Sequence, residues 1–194
     1  MTEQQPTTEQ QGLDPESAQT LEAFADTIVP GNKRFPDDHA IAGVCDDPGA
    51  VQAGALALLQ EPAGGLAPWL TGLAQLLNGH VLTFLAERGD EPAPDLPPFV
   101  GLSYDDRVAM VLRLVARDNP ERQGWVNLVM FSNMAFDSAP HLRTADALAT
   151  GHPGLLTLGY QPPGPDGRWR FPRYSYSRAL AELQPRTGPD GSLS

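Results

Sequence analysis

The chain has 194 residues, with 24 acidic and 13 basic side chains and a net charge of −11. This length suits one domain with flexible ends and can bury a core, while the charge repels nucleic acid and anionic membranes and favours a basic partner. The single cysteine, Cys45, excludes an internal disulfide and a cysteine-rich metal site, and no run approaches the roughly 18 continuous apolar residues of a membrane helix.

Residues 1–12 are polar, without periodicity, and read as a disordered tail. They contain no basic n-region, apolar h-region or twin arginine, so a cytoplasmic location is expected. Asp14 and Pro15 give a cap-then-proline start, and Leu21, Phe24, Ala25 and Ile28 follow at helical spacing until Pro30-Gly31. A long loop over 30–47 carries Lys33, Arg34, Asp37, Asp38, His39 and Cys45. Asp47-Pro48 repeats the start signal and predicts a second helix with Val51, Ala55, Leu58 and Leu59 on its face.

The third helix is predicted over about 66–88. Leu66, Trp69, Leu70, Leu73, Leu76, Leu77, Val81 and Phe84 form one wide stripe, which Gly89 terminates. So apolar a helix is expected at the centre of the bundle. Prolines 92, 94, 97 and 98 exclude helix from 89–102 and predict an extended crossing of the surface. Ser103 and Asp106 form a weak capping box for a fourth helix, with Val108, Val111, Leu112 and Val115 as its core face. Asn119-Pro120 opens a fifth helix running to about Phe136. Trp125, Leu128, Val129 and Phe136 line one of its sides, and Val126, Met130 and Phe131 make it apolar most of the way round.

A short helix is expected near 142–150. Residues 151–174, rich in Gly, Pro, Arg and aromatics, fit no regular element and read as an extended arm with a hairpin near Pro165-Asp166-Gly167. A last short helix over 175–183 precedes a tail, 184–194. The predicted fold is all-α: an irregular bundle of about five main helices with long Pro/Gly-rich loops and an extended C-terminal arm. One domain spans 13–183 and includes the aromatic, basic arm 160–174.

No phosphate loop, nucleophile elbow or paired helical metal-ligand motif occurs. His80 lies in line with Leu73, Leu76, Leu77 and Phe84. A buried imidazole there is either a core residue satisfied by one hydrogen bond or a catalytic base. Asp137 is a second acid–base candidate and stands four residues before His141; a helix-end cap is the simpler account of it. Ser132 and Asn133 interrupt the apolar fifth helix and point either to a ligand or to a neighbouring carbonyl. Tyr160, Arg168, Trp169, Arg170, Phe171, Arg173 and Tyr174 make the arm the one cationic, aromatic patch, suited to a partner contact or to folding back on its own domain.

The segment TLEAFADTIVPG, Thr20 to Gly31, resembles the opening helix and turn of the gluconate 2-dehydrogenase subunit 3 family. Ile41-Ala42-Gly43-Val44 and Leu158-Gly159-Tyr160 are similar to later stretches of that family. The resemblance implies a small helical subunit associated with a large flavoprotein oxidoreductase of the glucose–methanol–choline type. FAD and the catalytic base would then belong to the partner, and this chain would hold no cofactor or metal. It also implies that Asp26, Thr27, Pro30 and Gly31 shape a helix end and a turn. Many members carry a twin-arginine export signal, which this sequence lacks. Two other readings stand beside the accessory subunit. One is a cofactor-free enzyme with a pocket between the third and fifth helices and His80 or Asp137 as acid or base; the other is a binding module for an apolar metabolite.

Overall fold

A computed structural model of the protein describes residues 13–161. The chain divides into units 1–159 and 160–194; the helices below belong to the first. Among the described residues there are seven helices, α1 (Pro15–Ile28), α2 (Ala55–Gln60), α3 (Leu70–Arg88), α4 (Tyr104–Leu114), α5 (Arg122–Asp137), α6 (Thr144–Ala149) and α7 (Pro153–Thr157), and no strand. The all-α irregular bundle is as expected. The hairpin near 165–167, the helix over 175–183 and both tails fall outside the described residues.

The central element is α1, not α3 as the stripe on α3 suggests. It packs against α2, α3, α4 and α5. Asp14 caps it, accepting from Ser17 N at 2.8 Å, with Pro15 in the first turn. Leu21, Ala23, Phe24 and Ala25 are all buried. Each large side chain so enclosed contributes about 1.5–3 kcal/mol of hydrophobic stabilisation. Phe24 meets Phe99 and Trp125 at ring separations of 6.1 and 6.4 Å.

The end of α1 organises the long loop that follows. Asp26, 1% exposed, accepts from Gly31 N at 3.0 Å and Ala42 N at 2.8 Å. Thr27 turns its hydroxyl back to Ala23 O at 2.8 Å. Burial pushes the Asp26 carboxyl above the ordinary carboxylate range, although both N–H donors and the nearby Arg107 guanidinium pull it down. Gly31 and Gly49 let two backbone stretches cross: Ala50 N donates to Val29 O and Asn32 N to Asp47 O, both at 2.9 Å. A Cβ on Gly49 would collide with Val29 O. This crossing accounts for the late start of α2. Asp47-Pro48 does not open a helix; residues 50–54 form turns, and Gly54, at φ 87°, starts α2 only at Ala55.

The proline-rich 89–102 segment is not helical, as expected; residues 89–95 run over the surface, but the stretch from Pro97 to Leu102 turns into the core. Pro97, Phe99, Val100 and Leu102 are buried. Asn78 of α3 ties the segment down, accepting from Phe99 N at 3.0 Å while donating to Thr20 of α1 at 3.2 Å. Ser103 caps α4 as predicted, accepting from Asp106 N at 3.2 Å.

The buried face of α4 is Arg107, Met110, Val111 and Leu114, rotated from the apolar face expected; Leu112 is 63% exposed. The cause is Arg107, which turns inward and donates to Ala40 O, His39 O and Val100 O at 2.8, 2.9 and 2.6 Å. On α5 only one face is buried, through Trp125, Leu128, Ser132 and Ala135, and Met130 is exposed. A helix apolar most of the way round is expected to be buried, so the single buried face corrects that expectation.

The short helix expected near 142–150 is α6. Helix α7 was not expected, since Gly151 and Pro153 read as loop formers; Pro153 instead occupies the first turn and His152 supplies the cap. A Cβ on Gly154 would overlap Phe136 O, so α7 rests directly on the end of α5.

Asp26→Ala would leave two buried N–H groups without an acceptor. Thermal or urea unfolding should show a loss of about 3 kcal/mol, well beyond the smaller loss from Asp14→Ala at the exposed cap of the same helix.

Candidate functional site

The predicted site residues do not converge. His80 lies on α3, but its ring is about one-third exposed instead of buried in the apolar stripe. Its Nε2 lies 2.7 Å from Glu121 Oε2, and the ring stands edge-on to Trp125 at 5.8 Å. Trp125 Nε1 donates to the same Glu121 oxygen at 3.2 Å. The hydrogen bond from His80, helped by that from Trp125, holds the Glu121 carboxyl below its ordinary range. A carboxylate only accepts, so Nε2 carries the proton and the neutral ring keeps a bare lone pair on Nδ1. Nδ1 has no hydrogen-bond partner among the described residues. His80, Thr83, Arg113, Asn119 and Glu121 line an open depression of about 410 Å³ between α3, α4 and the α4–α5 connection. Arg113 is committed to Glu87 through two bonds, at 2.7 and 2.9 Å.

Asp137 is elsewhere, at the end of α5. Its carboxylate accepts from Asn133 Nδ2 and Ser138 Oγ, each at 2.7 Å. It does not pair with His141, and its contacts are those of a helix end. Ser132 bonds back to Leu128 O at 2.8 Å, and Asn133 bonds to Asp137, so each interruption of α5 has a neighbouring group on its own helix. Tyr160 is exposed. Arg168, Trp169, Arg170, Phe171, Arg173 and Tyr174 lie outside the described residues. In the 30–45 loop, Arg34 joins Glu22 and Asp38. Burial opposes the Asp38 charge, yet the Arg34 guanidinium holds that carboxyl below its usual range.

A largely apolar open surface lies between the third and fifth helices. Helix α3 carries two seams. Leu70, Ala74, Leu77, Val81 and Leu85 face the core. Leu73 and Leu76 face another side and extend, at heptad sequence spacing, a line begun by Leu66 and Trp69 in the turn just before α3; Trp69 is 68% and Leu76 42% exposed. With Gly72, Gly124 and Asn127 they line a groove of about 410 Å³ between α3 and α5 that contains no charged side chain. The two glycines leave its floor open; a Cβ on either would meet nothing. Sequence reading merged both seams into one stripe because each is apolar. The heptad subset 66/69/73/76 is the signal that separates them. A pocket between the third and fifth helices therefore exists, but neither His80 nor Asp137 lines it.

Among the described residues no group of three or more potential ligands could hold a metal, and no helix is long and apolar enough to cross a membrane. The His80–Glu121 pair is a surface interaction. A double-mutant cycle with His80→Ala and Glu121→Ala should return a coupling of about 0.5 kcal/mol at neutral pH. Because the folded-state Glu121 carboxyl titrates below its unfolded value, this coupling should be present above about pH 4.5 and vanish as pH falls through the folded value.

No curated protein matches the chain. No solved structure matches it either. The model of a family of unknown function (DUF5987) matches residues 15–194, and the chain belongs to that family.

Proposed function

We propose that this chain is a non-catalytic helical subunit that binds and stabilises a larger FAD-containing oxidoreductase, seating it on the groove between α3 and α5. The observation that carries the reading is the outward seam of Leu66, Trp69, Leu73 and Leu76. An exposed, uncharged patch of this kind on a chain of net charge −11 marks an interaction surface. The choice of a flavoprotein as occupant rests on the resemblance of Thr20–Gly31 to the gluconate 2-dehydrogenase subunit 3 family. The clamp by Asp26 and the tight turn at Gly31 agree with the structural role which that resemblance implies for these residues. The absence of a catalytic motif from the sequence fits chemistry carried by the partner.

One observation favours a second reading. The Glu121 carboxylate orients His80 and leaves its Nδ1 bare at the edge of an open depression, the arrangement of a general base with its orienting group. On that reading the protein is a cofactor-free proton-transfer catalyst. Its turnover would disappear in His80→Ala.

Affinity purification of the tagged chain from its native cells, with mass spectrometry and an absorbance scan, tests the first reading. A stoichiometric partner with a flavin spectrum is expected. Trp69→Ala combined with Leu73→Ser should abolish its recovery while leaving helicity unchanged, and Trp169→Ala with Phe171→Ala should weaken it if the arm contributes. A colourless protein recovered alone, or a flavoprotein retained equally by the groove variant, would overturn the assignment.

A further inference from the structure

Two histidines unrelated to the groove meet where α6 and α7 rest on the rest of the unit. His152 is 6% exposed, and both ring nitrogens are engaged. Nε2 lies 3.0 Å from Ala53 O, which can only accept, and Nδ1 lies 3.3 Å from Leu155 N, which can only donate. The ring can hold both bonds only as the neutral tautomer with its proton on Nε2. A second proton, on Nδ1, would set N–H against N–H and place a cation at the start of α7, where the helix dipole disfavours it.

His141 lies beside it. Its ring packs so closely on Gly54 that a Cβ there would meet Nε2 at 2.9 Å, and its Nδ1 is buried with no partner. Burial lowers the His141 pKa, and the neighbouring His152 lowers it further; Glu61 opposes them more weakly. The other charged groups nearby are already committed. Asp137 of α5 is bonded to Asn133 and Ser138. Asp146 of α6 is exposed and faces Arg143 at 3.9 Å.

Beyond the histidines, α7 rests on the end of α5 through Gly154 and Phe136. Ala139, Ala147, Leu148 and Leu155 form a small cluster separate from the main core. Among the described residues no ion pair joins α6 or α7 to residues 13–137.

We infer that His141 and His152 form a proton-operated latch, which holds α6 and α7 against the 49–54 turn at neutral pH and releases them in mild acid while α1 to α5 stay folded. The sign follows from the preference for neutral rings. An imidazole that titrates lower in the folded state gives stability that is complete above about pH 6.5 and is lost as pH falls through the folded value.

Hydrogen exchange of the full chain, followed by mass spectrometry at about pH 7.5 and about pH 5.5 with intrinsic rates corrected, provides the test. Amides over 144–157 should lose about tenfold or more protection at the lower pH, reversibly, while those of α1 and α3 keep theirs. His152→Asn retains a capping oxygen but cannot titrate. Combined with His141→Asn, it should abolish the acid response. Equal protection at both pH values, simultaneous loss across α1, or an acid response that persists in the double variant would each overturn the latch. Nitrogen NMR of the wild-type imidazoles needs no variant. It should show His152 protonated on Nε2 alone at about pH 7.5, changing at the same midpoint as the exchange. A ring protonated on Nδ1 there, or titration without any change in exchange, would also overturn it.

Discussion

The structure depends on a pair of opposite charges that do not touch. Asp26 at the end of α1 takes the N–H of Ala42, and Arg107 of α4 takes the carbonyls of His39 and Ala40. One short stretch of backbone is thus gripped by its donor through an acid and by its acceptors through a base. Both side chains are almost fully buried. Hydrogen bonds to the peptide groups offset the desolvation of each charge. The 30–54 connection contains no helix before α2, so its place depends on such bonds; Arg34 with Glu22 and Asp38, and the crossing of Ala50 N to Val29 O, add to the grip.

With α1 enclosed on all sides, α3 is left at the periphery, and its composition becomes informative. A peripheral helix normally presents polar residues to water. This one, with the turn before it, presents a second apolar seam, and Gly72 beside it and Gly124 of α5 line the same groove. Bulk on the seam and emptiness at its floor suit a partner with its own protruding side chains. The His80–Glu121 pair, about one turn beyond Leu76 on α3, is of a different kind: polar, partly exposed, and tied to the connection before α5. Docking and acid–base chemistry would therefore occupy separate surfaces.

Much of the architecture was legible in the residues. The caps at Asp14 and Ser103 and the glycine stop at Gly89 each work as their chemistry dictates. What misled was always tertiary. Val108, Val111, Leu112 and Val115 mark a core face for α4, yet three carbonyls draw Arg107 inward and rotate that face. Asp47-Pro48 carries a sound start signal that Gly49 cancels, because the backbone must pass Val29 there. Prolines 92–98 forbade helix but said nothing of depth, and Phe99 reaches the core beside Phe24. The candidate sites were harder still. His80 was singled out by its place in the stripe, but Glu121 lies 41 residues away and no local pattern links them. His152 looked like one more loop residue because its partner, Ala53 O, is backbone and leaves no mark in the sequence.

The contrast between two indoles has a practical consequence. Trp125 is sealed in the core at 1% exposure between Phe24 and His80, whereas Trp69 stands in water at the rim of the groove. Indoles so placed differ in emission wavelength and in access to soluble quenchers, so the chain with its third tryptophan, Trp169, replaced carries two optical probes without labelling. Light from the shielded ring follows the integrity of the bundle. Light from the solvated ring follows what settles on α3, and a partner that covers the groove announces itself by a blue shift while the core signal stays still.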